Sequence, residues 1–135
     1  MKSGYLYIHN SVFPTLFALS DEEQQRGLMH QAWPPPVMAF VYDHPRVNKF
    51  WMKNTPSPLD IVFCCNGKIS QIHHGVPNTT DMIGENKQSD LIIELPYGTV
   101  EMDQIGIGQT VGLVAPASNE LIKVIGKKSP YFVKF

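Results

Sequence analysis

The sequence is poor in charge, in cysteine and in catalytic signatures. Charged residues make up 17% of the 135-residue chain, below the rough quarter usual for soluble domains. Low charge fits a small β-rich protein that surfaces itself with Thr, Ser, Asn and Gln. It also fits a surface partly covered by a partner or ligand. The first reading is preferred, because scattered exposed apolar residues are normal. A net charge of −1 lacks the basic footprint of a nucleic-acid binder. No apolar run reaches the length that spans a bilayer, and the opening Met1-Lys2-Ser3-Gly4 leads into no signal-peptide core. The two cysteines, Cys64 and Cys65, are adjacent. Neighbours on a strand face opposite ways, so packed, reduced thiols are expected rather than a disulfide framework. Together these features predict a cytoplasmic or otherwise intracellular protein. No Gly-x-Ser-x-Gly elbow and no glycine-rich phosphate loop is present.

What remains is enough for a core. Hydrophobic residues make up 43% and aromatics 10%, and the length suits a single domain over residues 1–135 that needs no metal or disulfide to fold. Eleven prolines and ten glycines punctuate the chain, the spacing of short strands joined by turns. One segment reads as helix. Ser20-Asp21-Glu22-Glu23 is a capping box, Arg26 suits the C-terminal end of the dipole, and Gly27 is the stop. Strands are predicted over residues 5–8, 12–19, 37–42, 47–53, 59–65, 68–73, 91–95, 111–114 and 121–125. Asn66-Gly67 between two apolar runs is a hairpin signal. Trp33-Pro34-Pro35-Pro36 reads as a stiff extended lead into the next strand, and residues 75–90 as a long polar loop of the kind that often serves function.

The cysteines lie within an apolar run, where thiols are packing groups. Of the histidines, His73 and His74 are neighbours and point apart on a strand. A set of Cys65, His73 and Asp81 or Glu85 matches no usual zinc spacing, so neither a metal nor a cofactor is expected. Residues 50–60 differ. Phe50, Trp51 and Met52 run into Lys53, Asn54 and Thr55, then Pro56, Pro58 and Asp60. Proline fixes φ and restricts the residue before it, so this loop holds a cation, an amide, a hydroxyl and a carboxylate in one shape beside aromatic surface. A small-molecule site needs that combination. An equally good structural reading has Asn54 and Thr55 bonding the turn and Asp60 pairing with Lys53 or Arg26. Trp51 either packs into the core or stands exposed as a ligand platform.

Several blocks resemble domain-of-unknown-function family 192. They are Ser20-Asp21-Glu22-Glu23 with Arg26-Gly27-Leu28-Met29; Met38-Ala39-Phe40; Phe50-Trp51-Met52-Lys53-Asn54-Thr55 with Pro58-Leu59-Asp60-Ile61; and Ile92-Ile93-Glu94-Leu95 with the later Ile105-Gly106-Ile107-Gly108. The similarity covers about residues 12–111, leaving 112–135 as a C-terminal extension. Val37 and Gln109 depart from residues usual in the family, outside the 50–60 block. The resemblance implies an α+β fold of mostly antiparallel strands, curled into a small barrel-like sheet with one short N-terminal helix. It implies no activity. Many members look exported or membrane-tethered, which sets the location expected here apart.

Three functions follow as expectations. The first is a binding or accessory domain with an unidentified small-molecule or protein partner. Its ligand would sit near Lys53, Asn54, Thr55 and Asp60, walled by Phe50 and Trp51, with Asp60 fixing Lys53. The second is a structural or assembly protein, for example a virion component, oligomerising through its surface and the Lys- and aromatic-containing residues 126–135. The third, an enzyme using Asp60 as general base, carries a conflict, because a neighbouring Lys53 would lower the pKa that such a base needs raised.

Overall fold

A computed structural model describes residues 1–114, 123–124, 126 and 129–132. Its strands are β1 (Lys2–Ile8), β2 (Ser11–Ala18), β3 (Val37–Val47), β4 (Leu59–Cys65), β5 (Lys68–Gly75), β6 (Gln88–Pro96) and β7 (Val111–Val114), with helices α1 (Asp21–Arg26) and α2 (Thr99–Met102). One sheet holds all seven strands in the order β5-β4-β6-β3-β2-β1-β7. Among the described strands only β2 and β3 pair in parallel, and α1 lies in their crossover, as a parallel connection requires. Lys68, at the start of one edge strand, bridges Thr110, just before the other. The sheet is therefore a curled half-barrel of mostly antiparallel strands with little helix.

Local chemistry explains the elements. Ser20 and Glu23 form the reciprocal capping box, and Gly27 ends α1 with a positive φ of 50°. Asn66 and Gly67 both take positive φ, 51° and 86°, closing the β4–β5 hairpin as a primed turn. Pro14 pairs with Tyr5 of β1 one residue before the ladder to β3 begins at Thr15, so its missing N–H costs no bond on that side. The proline connector leads into β3, with a cis Trp33–Pro34 peptide.

Two differences from expectation stand out. Residues 47–53 do not form a strand: after Val47 only Phe50 is paired, through a single bridge to Ile83. Asn48 turns the chain instead, its Nδ2 donating to the Ser89 carbonyl at 3.0 Å and hydroxyl at 2.8 Å. The second helix, α2, carries no sequence signal beyond Gly98. Residues 121, 122 and 125, and the basic and aromatic Lys127, Lys128, Lys134 and Phe135, lie outside the described residues. Among those described, no helix is long and apolar enough to cross a membrane.

The two faces of the sheet carry separate cores. Every strand contributes to the cluster enclosed by the curl, including Leu6, Phe17, Val41, Val62, Ile69, Ile93 and Leu113. The opposite face, built from Met38, Phe40, Leu59, Ile61, Phe63 and Ile92, is covered by Leu28 and Met52 with Phe50 and Ile83. Here the fit is close: a Cβ on Gly75 would fall on the Met52 Sδ, and Met52 is fully buried. Gly75→Ala should therefore lower stability by about 1–3 kcal/mol, as overpacking does. A urea midpoint equal to wild type would show that Met52 has room to move.

Candidate functional site

The loop from Asn48 to Pro58 is clamped from both sides. On one side, Phe50 and Ile83 exchange backbone bonds at 2.9 and 2.7 Å, Met52 N–H donates to the Thr79 carbonyl at 3.0 Å, and Asn78 N–H donates to that of Thr55 at 3.1 Å. The long polar segment after β5 thus works as a bracket. On the other side, His30 N–H reaches the Asn54 carbonyl at 2.8 Å, and Ser57 Oγ donates to the Gln31 carbonyl at 3.1 Å. Asn54 holds φ 54°, a conformation asparagine tolerates better than most residues. Side chains alternate along the loop. Phe50 meets Phe40 and Phe63 edge-on at 4.8 and 5.9 Å, Met52 is buried, and Trp51 remains 42% exposed. The structure decides the Trp51 alternative in favour of exposure.

Between this loop and α1 lies a recess. Its inner part, about 180 Å³, is lined by Arg26, Phe40, Tyr42, Phe50 and Trp51, with Glu94 among them. Glu94 sits in β6, registered against Met38 and Ile61, on the sheet face that carries the second core. It is 4% exposed, and no side chain or backbone group among the described residues hydrogen-bonds its carboxyl. Burial alone raises its pKa to about 8, since removing water disfavours the charged form. Gly27 explains how the pit stays open above it. A Cβ there would approach Phe40 Cζ at 3.3 Å and Glu94 Oε1 at 3.6 Å, at a φ that side chains rarely adopt. Tyr42 is pushed up to about 12, by burial first, with Arg46 opposing and Glu94 adding to the rise; the Arg46 guanidinium lies 4.3 Å over its ring. An outer shelf of about 460 Å³ shares Gln25, Arg26, Met29 and Trp51 with the pit and adds Glu22, His30, Lys53 and Asn54.

The structure brings Phe50, Trp51 and Thr55 to the pit, and Trp51, Lys53 and Asn54 to the shelf. Lys53 Nζ stands 5.1 Å over the Trp51 ring, and Thr55 Oγ1 donates to the Lys53 carbonyl at 3.1 Å, bracing the turn. Asp60 is a correction: it does not fix Lys53 and does not pair with Arg26. It is 1% exposed. One oxygen meets His74 Nδ1 at 2.8 Å, and the other accepts from the N–H groups of Gly98 and Val100 at 3.1 and 2.9 Å. Its distance from the recess follows from strand geometry, because Asp60 and Ile61 point to opposite faces. Burial also raises both thiols, Cys64 far more than Cys65, in keeping with inert packing.

Sequence reasoning passed over Glu94 as a site residue, and Arg26, Tyr42 and Lys49 with it. The signal was present: an acid inside the apolar run Ile92-Ile93-Glu94-Leu95 has nowhere to go but the interior. Arg26 and Lys49, by contrast, carry no mark that distinguishes them from ordinary surface cations.

Solved structures resemble the chain over most of its length. A protein of Sinorhizobium meliloti, given a provisional role as a transcription regulator, matches with a TM-score of 0.77 and 26% identity over 82% of this chain and 93% of its own. A Novosphingobium aromaticivorans protein of unknown function matches at 0.74 and 25%, over 81% and 84%. No curated protein matches. A family-wide profile described as "Uncharacterized ACR" matches residues 8–113, and the chain belongs to that family, domain-of-unknown-function family 192.

Proposed function

We propose that this chain is a small-molecule-binding domain whose ligand occupies the recess between α1 and the loop at Phe50–Thr55. One observation carries the reading: Glu94, only 4% exposed, lines the recess, and its carboxyl has no hydrogen-bonding partner among the described residues. Native proteins pair nearly all buried polar groups, and an unpaired one in a cleft marks a site for something else. The walls support it. Phe40, Tyr42, Phe50 and Trp51 supply aromatic surface, the composition of ligand sites with a few placed polar groups. The doubly clamped loop keeps that surface rigid before binding, which reduces the ordering cost of association. The net charge of −1 supplies no general attraction for DNA, so the regulator role stays with the Sinorhizobium protein.

A thermal-shift screen of metabolites tests this. A ligand at a hundred times its dissociation constant adds about 2.7 kcal/mol of stability, several degrees for a domain of this size. Trp51 and Lys53 are exposed, so Trp51→Ala and Lys53→Ala should each stay within about 1 kcal/mol of wild-type stability and lose most of the ligand-induced shift. A blank across the library, or a hit whose shift survives both substitutions, overturns the reading.

A further inference from the structure

We propose that the ligand of the recess is a small aminated acid, whose ammonium group meets Glu94 at the floor and whose anionic group meets Arg26, Lys49 and Lys53 at the mouth. The proposal rests on the binding reading above and deepens it. Its basis is the grading of burial among the lining residues: Glu94 and Phe40 are buried, Tyr42 and Phe50 half-buried, and Arg26, Lys49 and Lys53 exposed, with Glu22 beside them on the shelf.

At the floor, the Glu94 carboxyl is flanked across the sheet by Met38 and Ile61, which offer it nothing. An ammonium group supplies both the counter-charge and the donors it lacks, and charge-assisted bonds of this type are the strong ones. Along the walls, Phe40, Tyr42, Phe50 and Trp51 present rings, and ring faces attract cations.

At the mouth the sign reverses. Arg26 is exposed and forms no ion pair with a described residue. Lys49 uses one donor on the Gly84 carbonyl at 2.6 Å, and an ammonium has three. Lys53 is held over Trp51. A neutral polyol would leave these three cations unused, and a simple amine would pass them without gain. The inner volume of about 180 Å³ limits the buried part to a short aliphatic stem.

Of the titratable groups, Arg26 from α1, Tyr42 from β3 and Lys49 from the loop line the inner recess with Glu94. Glu22, His30 and Lys53 stand farther out on the shelf. Burial raises the Glu94 pKa to about 8, so an ammonium group that binds the ionised carboxylate displaces protons from it below that pH. Binding at pH 7 therefore releases a proton, and affinity rises towards pH 8.

The test is a paired titration by amide NMR and by calorimetry in two buffers of different ionisation heat. The probes are glycine, β-alanine, γ-aminobutyrate, butylamine, butyrate and methyl glucoside. At least one amino acid should bind about tenfold or more tightly than butylamine and butyrate, perturb the amides of Gly27 and Phe50–Thr55, and release a proton at pH 7. Glu94→Gln should weaken it about tenfold or more with the remaining amide spectrum in place. Arg26→Gln should reduce the amino acid towards the butylamine level. Butyrate or methyl glucoside binding as well as any amino acid overturns the ligand class while leaving the binding reading intact. Butylamine matching the best amino acid overturns the role of the mouth. Silence from every probe overturns this proposal, and the metabolite screen then decides the binding reading by itself.

Discussion

Stability should fall as pH rises from 4.5 to about 8, and Glu94→Gln should remove most of that fall. In the unfolded chain Glu94 titrates near its ordinary value. In the folded protein, burial raises it to about 8. Across that window the folded state binds more protons than the unfolded state, so unfolding free energy decreases with pH. The loss begins above the unfolded pKa and is complete once pH passes the folded one. It amounts to something on the order of 4–5 kcal/mol, a large share of a small domain's total stability. Glutamine keeps the shape and cannot ionise, so the variant should overtake wild type as pH rises. His73 works with the opposite sign. Burial lowers its pKa, so it destabilises the fold on the acid side. It is present in both proteins and cancels in their difference. Urea midpoints at pH 5, 7 and 9 for wild type and variant check this, and parallel profiles would mean that Glu94 titrates as a solvated acid. An aminated ligand would also restore part of the stability lost at high pH, since it gives the ionised carboxylate a partner.

The sheet was legible in the sequence wherever local chemistry and burial agreed. Residues 59–65 and 111–114 match their strands end to end, and the hairpin at Asn66-Gly67 and the capping box at Ser20 follow from side-chain and backbone preferences that act within a few residues. The segment at 47–53 failed because apolar content alone does not make a strand. Its backbone partners come from the distant Thr79 and Ile83, and Asn48 is captured by Ser89. The outline of the recess was visible in Phe50, Trp51 and the polar residues after them. Its floor was not, because Glu94 is adjacent to that loop only through the register of β6 with β3 and β4. Sequence proximity placed Asp60 beside Lys53. Strand alternation sent it to the other face of the sheet, where its carboxyl accepts from the N–H groups of Gly98 and Val100.

That role predicts the second large effect: Asp60→Ala should cost about 3 kcal/mol, and Asp60→Asn about 1 or less. The Asp60 carboxylate accepts from the N–H groups of Gly98 and Val100, at the start of α2, where Gly98 has no side chain to cap the turn. The first N–H groups of a helix have no partner within it, so alanine strands two half-buried donors, each worth about 1–3 kcal/mol when left unsatisfied. Asparagine can do nearly all that aspartate does. Its carbonyl oxygen accepts from the two N–H groups, and its amide faces His74 Nδ1. A neutral histidine presents either ring nitrogen as an acceptor, so His74 needs only the other tautomer to receive that donor. Chemical denaturation of both variants reads the stability order, and the thermal-shift response reads the site. Both should keep the ligand response of wild type, allowing for the lower starting stability of Asp60→Ala. An Asp60→Asn protein that folds normally yet no longer responds to ligand would move Asp60 back into the binding site. Equal, small losses in both variants would mean that the turn at Gly98 finds other acceptors and that Asp60 is not what holds it.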